Sequence, residues 1–342
     1  MIRLVLLLSL LVASCAVKHD LKHLPQAVTN NAVALIAHDK DFEIYSFNGL
    51  ASNKTAHDIH NNAFQFKNKQ WEKISMPQDS QAVLASAAVN IAHKIYVIGG
   101  YTVANDGGEK SVAEVFELDT SANKWRLITK MPVPVDDTVA LVYANRYIYL
   151  ISGWHDTDNV NLVQVYDSKE NKWFNATAFP LPAVFGHAGG IVGNELVICD
   201  GVKVMVKEKG RDFVPSPACV KGVIDATNPA KIKWNTIPHH SGVAYYRMAA
   251  TGVANNNQIV FAGGSDNPYN YDGIGYNDIP SKASAKVFAF DLKQGSWKFY
   301  DDIPATMDHR ALLNHGDFFY IIGGMHANQE VSDRVIKFKL VE

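Results

Sequence analysis

A hydrophobic strand that ends on a glycine pair recurs along the whole chain, and no other feature restricts the fold as much. Clear copies are KIYVIGG (Lys94 to Gly100), YIYLISG (Tyr147 to Gly153), LVICDG (Leu196 to Gly201), QIVFAGG (Gln258 to Gly264) and FYIIGG (Phe319 to Gly324), with a weaker FEIYSFNG (Phe42 to Gly49) before them. The closing glycines stand at 49, 100, 153, 201, 264 and 324, so the spacings are 51, 53, 48, 63 and 60. Periods near 50 residues belong to radially repeated sheets. Length alone, at 342 residues, suggests about two domains. Repeats that close one ring overrule that division.

Each unit continues alike: a β-rich run, a polar turn, a tryptophan and a proline, as in VFELDTSANKWRLITKMP and VQVYDSKENKWFNATAFP. The tryptophans are Trp71, Trp125, Trp173, Trp234 and Trp297, large rings suited to packing between blades with the N–H free to find a partner. On these residues the chain resembles kelch-repeat proteins over essentially its whole length. It departs from them at Ser152 and Asp200, which replace the first glycine, at Asn48-Gly49, and in a last unit without tryptophan. The resemblance implies an all-β fold, a six-bladed kelch β-propeller spanning residues 20–342, each blade with four antiparallel strands and the innermost first. Residues 310–342 hold only three strands. Leu24-Pro25, within Asp20 to Val28, matches outer-strand ends such as Met131-Pro132 and Phe179-Pro180. The N-terminal strand is therefore expected to close the last blade, with Leu21 or Val17 in the tryptophan's place.

The first residues, MIRLVLLLSLLVASC, read as an export signal over 1–14, with Arg3 before an apolar run too short to span a bilayer. Val-Ala-Ser-Cys resembles the bacterial lipobox. That resemblance implies a lipid on Cys15, a tether over 15–19, and a propeller held at a membrane, expected to be the outer membrane facing the periplasm of a Gram-negative bacterium. The net charge is −2 and the pI about 6.7, so no field draws the chain to nucleic acid. Contact with the membrane is expected through lipid alone. Cys199 and Cys219 fall on neighbouring strands of one unit, either as a disulfide, which an exported compartment permits, or as two buried thiols.

Function is expected on the face where the glycine loops and the entrances to the inner strands meet. Along the inner strands this face gathers Gln81, Asp137, His187, Arg247 and Arg310, with His309 beside them. Along the loops it gathers Tyr101, Trp154, His155, Asn267 and His326, with Asp200 at the base. Converging polar and aromatic groups at a channel mouth form a ligand-site pattern. If the arginines serve only the ligand, Arg247→Ala and Arg310→Ala should abolish binding with melting nearly unchanged. The loop from Ser265 to Ser284 carries Tyr269, Tyr271 and Tyr276 and reads either as a sugar-facing lid or as a self-packed loop. Pro238-His239-His240 reads as surface loop, and no metal or other cofactor is expected.

Two function classes remain open at this point. One is an anchored binding module presenting this face to a small molecule or glycan, or to a protein partner. The other follows a weaker resemblance to exported kelch proteins that act as sialic acid mutarotases or epimerases, an isomerase activity. Anomer exchange needs an acid and a base near the ring oxygen and the anomeric hydroxyl, and His187, Arg247, Asp137 and His309 are the candidates. A copper radical oxidase of the galactose oxidase type shares the propeller but needs a Cys–Tyr pair and histidines for which the chain offers no match.

Overall fold

The computed structural model describes residues 21–39, 41–208 and 210–342. The signal, Cys15, the tether and Asp20 lie outside these residues. Antiparallel sheets succeed one another around a ring. Blade 1 is Ala32–Ala37, Phe42–Leu50, Ile59–Lys67 and Gln70–Ile74; blade 2 is Ala87–Ile91, Lys94–Ile98, Glu114–Asp119 and Lys124–Lys130. Blade 3 runs through Val139–Tyr143, Tyr147–Ile151, Val163–Asp167 and Lys172–Asn175; blade 4 through Ala188–Val192, Glu195–Cys199, Cys219–Asp225 and Asn228–Ile237. Blade 5 is Ala249–Val253, Gln258–Ala262, Val287–Asp291 and Ser296–Tyr300, and blade 6 is Leu313–His315, Phe318–Ile322 and Val335–Phe338.

The second and third strands are continuous apolar runs because blades stack on both of their faces, as Ile95–Ile98, Ile148–Ile151 and Ile259–Ala262 show by their burial. Outer strands keep one face in solvent, so Lys124–Lys130 mixes exposed and half-buried residues. Apolar clusters fill the spaces between neighbouring blades. Leu141, Tyr149, Ile198 and Val220 pack blade 3 on blade 4, while Phe261 and Phe288 join Val197 between blades 4 and 5. Between blades 6 and 1, Leu24 and Val28 join Ile44, Phe66, Tyr320 and Val335.

The tryptophans latch each blade to the one before it. Trp125 donates from Nε1 to Ser75 O (2.7 Å), Trp173 to Thr129 Oγ1 (3.0 Å), Trp234 to Thr177 O (3.3 Å) and Trp297 to Pro238 O (2.7 Å). These acceptors sit at or just past the ends of the preceding outer strands. Trp71 has no earlier blade, and it donates to Lys22 O at 2.8 Å. Lys22 therefore occupies the outer-strand end of blade 6. The backbone of Leu24 donates to Asp333 O (2.8 Å), that of Val28 to Ser332 O (3.0 Å), and Gly324 donates to Val28 O (2.9 Å). The N-terminal segment closes the ring, and Leu21 packs against its cluster.

Cys199 and Cys219 lie directly opposite each other on the second and third strands of blade 4 and are joined as a disulfide, buried at 1% exposure each.

Candidate functional site

On the glycine-loop face the six units repeat one contact. The residue after the closing glycine forms a bridge with the residue entering the inner strand: Leu50 with Thr29, Tyr101 with Leu84, Trp154 with Asp136, Val202 with Phe185, Ser265 with Tyr246 and Met325 with Met307. The next residue in each unit adopts a left-handed backbone: Asn30, Ala85, Asp137, Gly186, Arg247 and Asp308 have φ between 47° and 74°. Backbone bonds run from each to its neighbour, Ala85 N to Asn30 O, Asp137 N to Ala85 O, Gly186 N to Asp137 O and Arg247 N to Gly186 O, with His309 N reaching Arg247 O. At Gly186 a Cβ would stand 1.9 Å from the Tyr246 ring, so only glycine fits.

This backbone ring brings Asp137, Arg247 and Asp308 together. Arg247 donates from Nε to Asp137 Oδ1 (3.1 Å), from Nη2 to Asp137 Oδ2 (2.5 Å) and from Nη1 to Asp308 Oδ1 (3.1 Å). Arg310 reaches Asp137 Oδ1 at 2.8 Å and Asn30 Oδ1 at 2.7 Å. Asp308 also accepts from the Thr29 hydroxyl and from Asn30 Nδ2. Burial opposes the Asp308 charge, but Arg247 and Arg310 outweigh it and hold its carboxyl below the usual range. Two cations and two anions thus form a closed layer, with Arg310 facing a central channel of about 300 Å³.

On the other side of this layer lies a cavity of about 270 Å³. Blade 2 supplies Tyr101 and Glu109, blade 3 Asp136, Asp137 and Trp154, blade 4 Phe185, Arg211 and Phe213, and blade 5 Arg247, Asn270, Tyr271 and Tyr276. Short hairpins grown from the glycine loops carry several of these: Tyr101–Val103 with Glu109–Ser111, and Val202–Val206 with Arg211–Pro215. Phe213 stacks on Tyr276 at 4.1 Å, so the blade 4 hairpin and the tyrosine loop meet over the cavity. The Arg211 guanidinium lies 5.0 Å from the Trp154 ring centre and 5.5 Å from that of Phe213, and donates to Thr157 O. Among the described residues it has no carboxylate within salt-bridge distance, unlike Arg247 and Arg310.

The cavity's carboxyl groups differ sharply. Asp137 faces both buried guanidinium groups. Among the described residues Asp136, beside it, receives only the Ser111 hydroxyl, at 2.6 Å on Oδ2. Burial first and the Asp137 charge second push the Asp136 carboxyl far above the usual range. Glu109 sits at the mouth and is solvent-exposed, but the surrounding wall desolvates its carboxyl enough to raise it, against the pull of Arg247.

Of the residues singled out from sequence, Tyr101, Asp137, Trp154, Arg247, Tyr271 and Tyr276 line the cavity. Arg310 faces the channel instead. Tyr269 is fully buried beneath the loop, its ring 5.0 Å from Tyr246, and packs over Arg247. His155, Asn267 and His326 hold loops: His155 Nδ1 donates to Pro134 O (2.7 Å), His326 Nδ1 to Ala305 O (3.2 Å), and Asn267 bonds Asn277 and Ile279 O. His187 and His309 do not reach the cavity. His187 donates to Ile151 O at 2.8 Å and His309 shares a bond with Thr306 Oγ1 at 2.7 Å. Burial lowers them to about 4 and about 3, so both are neutral. The tyrosine loop is packed in place, with Lys54 Nζ donating to Asp272 O (2.7 Å) and Gln329 O (2.9 Å), while Tyr271 and Tyr276 reach the cavity wall. Glu109, Asp136, Phe185, Arg211, Phe213 and Asn270 were not picked out from sequence.

Two expectations change. Arg247 and Arg310 neutralise buried carboxylates, so alanine at either position disturbs the fold as well as the face. His239 and His240 are not surface loop: His240 is buried and both rings contact Asp200, at 2.6 Å and 2.9 Å. With Cys219 nearby this is a set of metal-ligating types. However, His239 Nδ1 accepts from the Gly242 N–H at 2.7 Å, so its Nε2 carries the proton and donates it to Asp200. That tautomer is wrong for ligation through Nε2, and the Cys219 sulfur is already bonded. The cluster clamps the crossing from blade 4 to blade 5.

A family model described as KLHDC2/KLHL20/DRC7 Kelch-repeats domain matches residues 31–264. The chain belongs to the kelch-repeat family. Human Kelch-like protein 15 is 21% identical over 80% of this chain, but the match spans only 43% of that longer protein. N-acetylneuraminate epimerase of Salmonella arizonae is 21% identical, covering 80% of both chains, and that of Pasteurella multocida is 23% identical, covering 75% and 77%. The solved structure of YjhT superposes with a TM-score of 0.70 over 93% of this chain and 99% of that one, at 15% identity, and so shares the fold. The kelch propeller here is thus distantly homologous to sialic acid epimerases.

Proposed function

We propose that the cavity over blades 2 to 5 binds a single carboxylated sugar ring and interconverts its anomers. The observation that carries this reading is Arg211, a guanidinium on the cavity wall with no carboxylate of its own among the described residues, set against the faces of Trp154 and Phe213. A guanidinium matches a carboxylate through paired hydrogen bonds, and aromatic walls suit the C–H faces of a sugar. A cavity near 270 Å³ lies just below the usual range of ligand pockets, about 300–1,000 Å³, which favours one ring over an oligosaccharide. The epimerase relatives, matched over most of both chains, support the same substrate class.

N-acetylneuraminate is the probe. It should raise the melting temperature and speed anomer exchange measured by NMR, while a neutral hexose should do neither. Arg211→Ala should weaken binding about 10- to 100-fold, the loss of one charge-assisted contact of roughly 1.5–3 kcal/mol, with the melting of the free protein unchanged. A melting shift without faster exchange would leave a binding module; the absence of both sinks the reading.

We also propose that the propeller is exported and held by lipid on Cys15. The Val12-Ala13-Ser14-Cys15 sequence, set directly after a short apolar run, supports this reading. Cys15→Ser should release the protein from the membrane fraction; retention there would end the proposal.

A further inference from the structure

The geometry points to Asp136 and Glu109 as the proton-transfer pair of this cavity, Asp136 as acid and Glu109 as base; this rests on the anomer-exchange reading above. The bridge residue entering the inner strand is Thr29, Leu84, Phe185, Tyr246 or Met307 in the other units, and a carboxyl group only in blade 3. Asp136 is 2% exposed yet forms part of the cavity wall. Its bridge to Trp154 fixes the backbone through bonds of 3.0 Å and 2.9 Å in the two directions.

The neighbours then divide two adjacent aspartates into different states. Asp137 receives both buried arginines, so its charge is balanced. Asp136 has no cation within salt-bridge distance among the described residues. Its one hydrogen-bond partner among the described residues is Ser111, whose hydroxyl lies 2.6 Å from Asp136 Oδ2 and accepts from the Asp156 N–H at 3.1 Å. Two adjacent buried carboxyl groups cannot both ionise cheaply, and the one without a cation keeps its proton. The charged groups acting on Asp136 include Asp137, Glu109 and Arg247, and the Asp156 carboxylate lies across Ser111, accepting from its N–H at 2.9 Å. Those around Glu109 are Arg247, Asp137 and Arg211, with Tyr101 and Tyr271 beside it on the wall. Glu109 stands two residues from Ser111 on the same hairpin strand, with access to solvent protons.

The reaction balances without any co-reactant. The Glu109 carboxylate takes the proton of the anomeric hydroxyl as the Asp136 acid gives its proton to the ring oxygen. The ring C–O bond breaks, leaving an open-chain carbonyl, a protonated Glu109 and an ionised Asp136. Closure on the opposite face of the carbonyl reverses both transfers and restores both residues.

The test uses the folded protein with N-acetylneuraminate. Asp136→Asn keeps the acceptor for Ser111 and the neutral charge but has no acidic proton. Glu109→Gln removes the base at a solvent-exposed position. Each should slow catalysed exchange by about 10²–10⁴-fold while the ligand-induced melting shift persists. The wild-type rate should rise with pH as Glu109 ionises, and that limb should vanish in Glu109→Gln. A protonated-carboxyl infrared band should be present at neutral pH and lost in Asp136→Asn. A wild type that speeds exchange while Asp136→Asn or Glu109→Gln matches it overturns this assignment alone, as does absence of the band. A wild type that binds the sugar without speeding exchange overturns the assignment and the isomerase reading together.

Discussion

Arg247 and Arg211 make different contacts, and mutation can separate what each does. Arg247 is 2% exposed, bonds two carboxylates and lies 4.7 Å over the Tyr246 ring, so it is a structural cation. Removing one member of a buried charge network leaves the others uncompensated, at a cost of about 3–5 kcal/mol. Arg247→Ala should lower stability by that amount in urea melts even without ligand. An unchanged midpoint would show that Asp137 and Asp308 are satisfied by other means. Arg211, exposed and bound to one carbonyl, should show the reverse, with binding lost and stability kept. The sequence presents both as isolated arginines; only their partners tell them apart.

At the scale of elements, the strand that closes blade 6 is decided by contacts far apart in the chain. Leu24 is 4% exposed among residues of blades 1 and 6. Leu24→Ala should cost about 2–5 kcal/mol, as large-to-small core changes do, and should leave sugar binding intact because the cavity lies over blades 2 to 5. A cost below 1 kcal/mol would mean that the closure contributes little. The strands were legible because apolar runs, glycines and tryptophans recur with them. The hairpins that carry Glu109 and Arg211 were not. They grow from loops of unequal length, and Asp136 lies in a connection whose register to the glycines varies from unit to unit. Tyr271 and Tyr276 were visible as a cluster, but the stacking of Tyr276 on Phe213 depends on two blades meeting.

The whole molecule carries a pH signature set by buried neutral histidines. His187 and His309 titrate at about 4 and about 3, below the ordinary 6.5, because burial disfavours the charged ring. The unfolded chain binds a proton at each near 6.5 and the native state does not. The contribution of these two histidines is therefore full above 6.5 and is lost as pH drops toward 4 and then 3. For His187 the shift corresponds to on the order of 3 kcal/mol. His187→Gln should flatten melting temperature against pH between 6.5 and 4, and an unchanged slope would mean that this histidine does not control acid stability.

The sequence by itself determined the fold, the number of blades and the need for an outer strand from the N-terminus, because repeat period and apolar patterning are local properties that every copy restates. It also marked one face through its polar and aromatic residues. Tertiary structure decided which of those residues share a cavity and what state each is in. Asp136 and Asp137 are identical and adjacent in the chain, yet Asp137 is paired with arginines from blades 5 and 6 and Asp136 with a serine from blade 2. Charge and proton affinity follow from such long-range neighbours, and a one-dimensional pattern does not contain them.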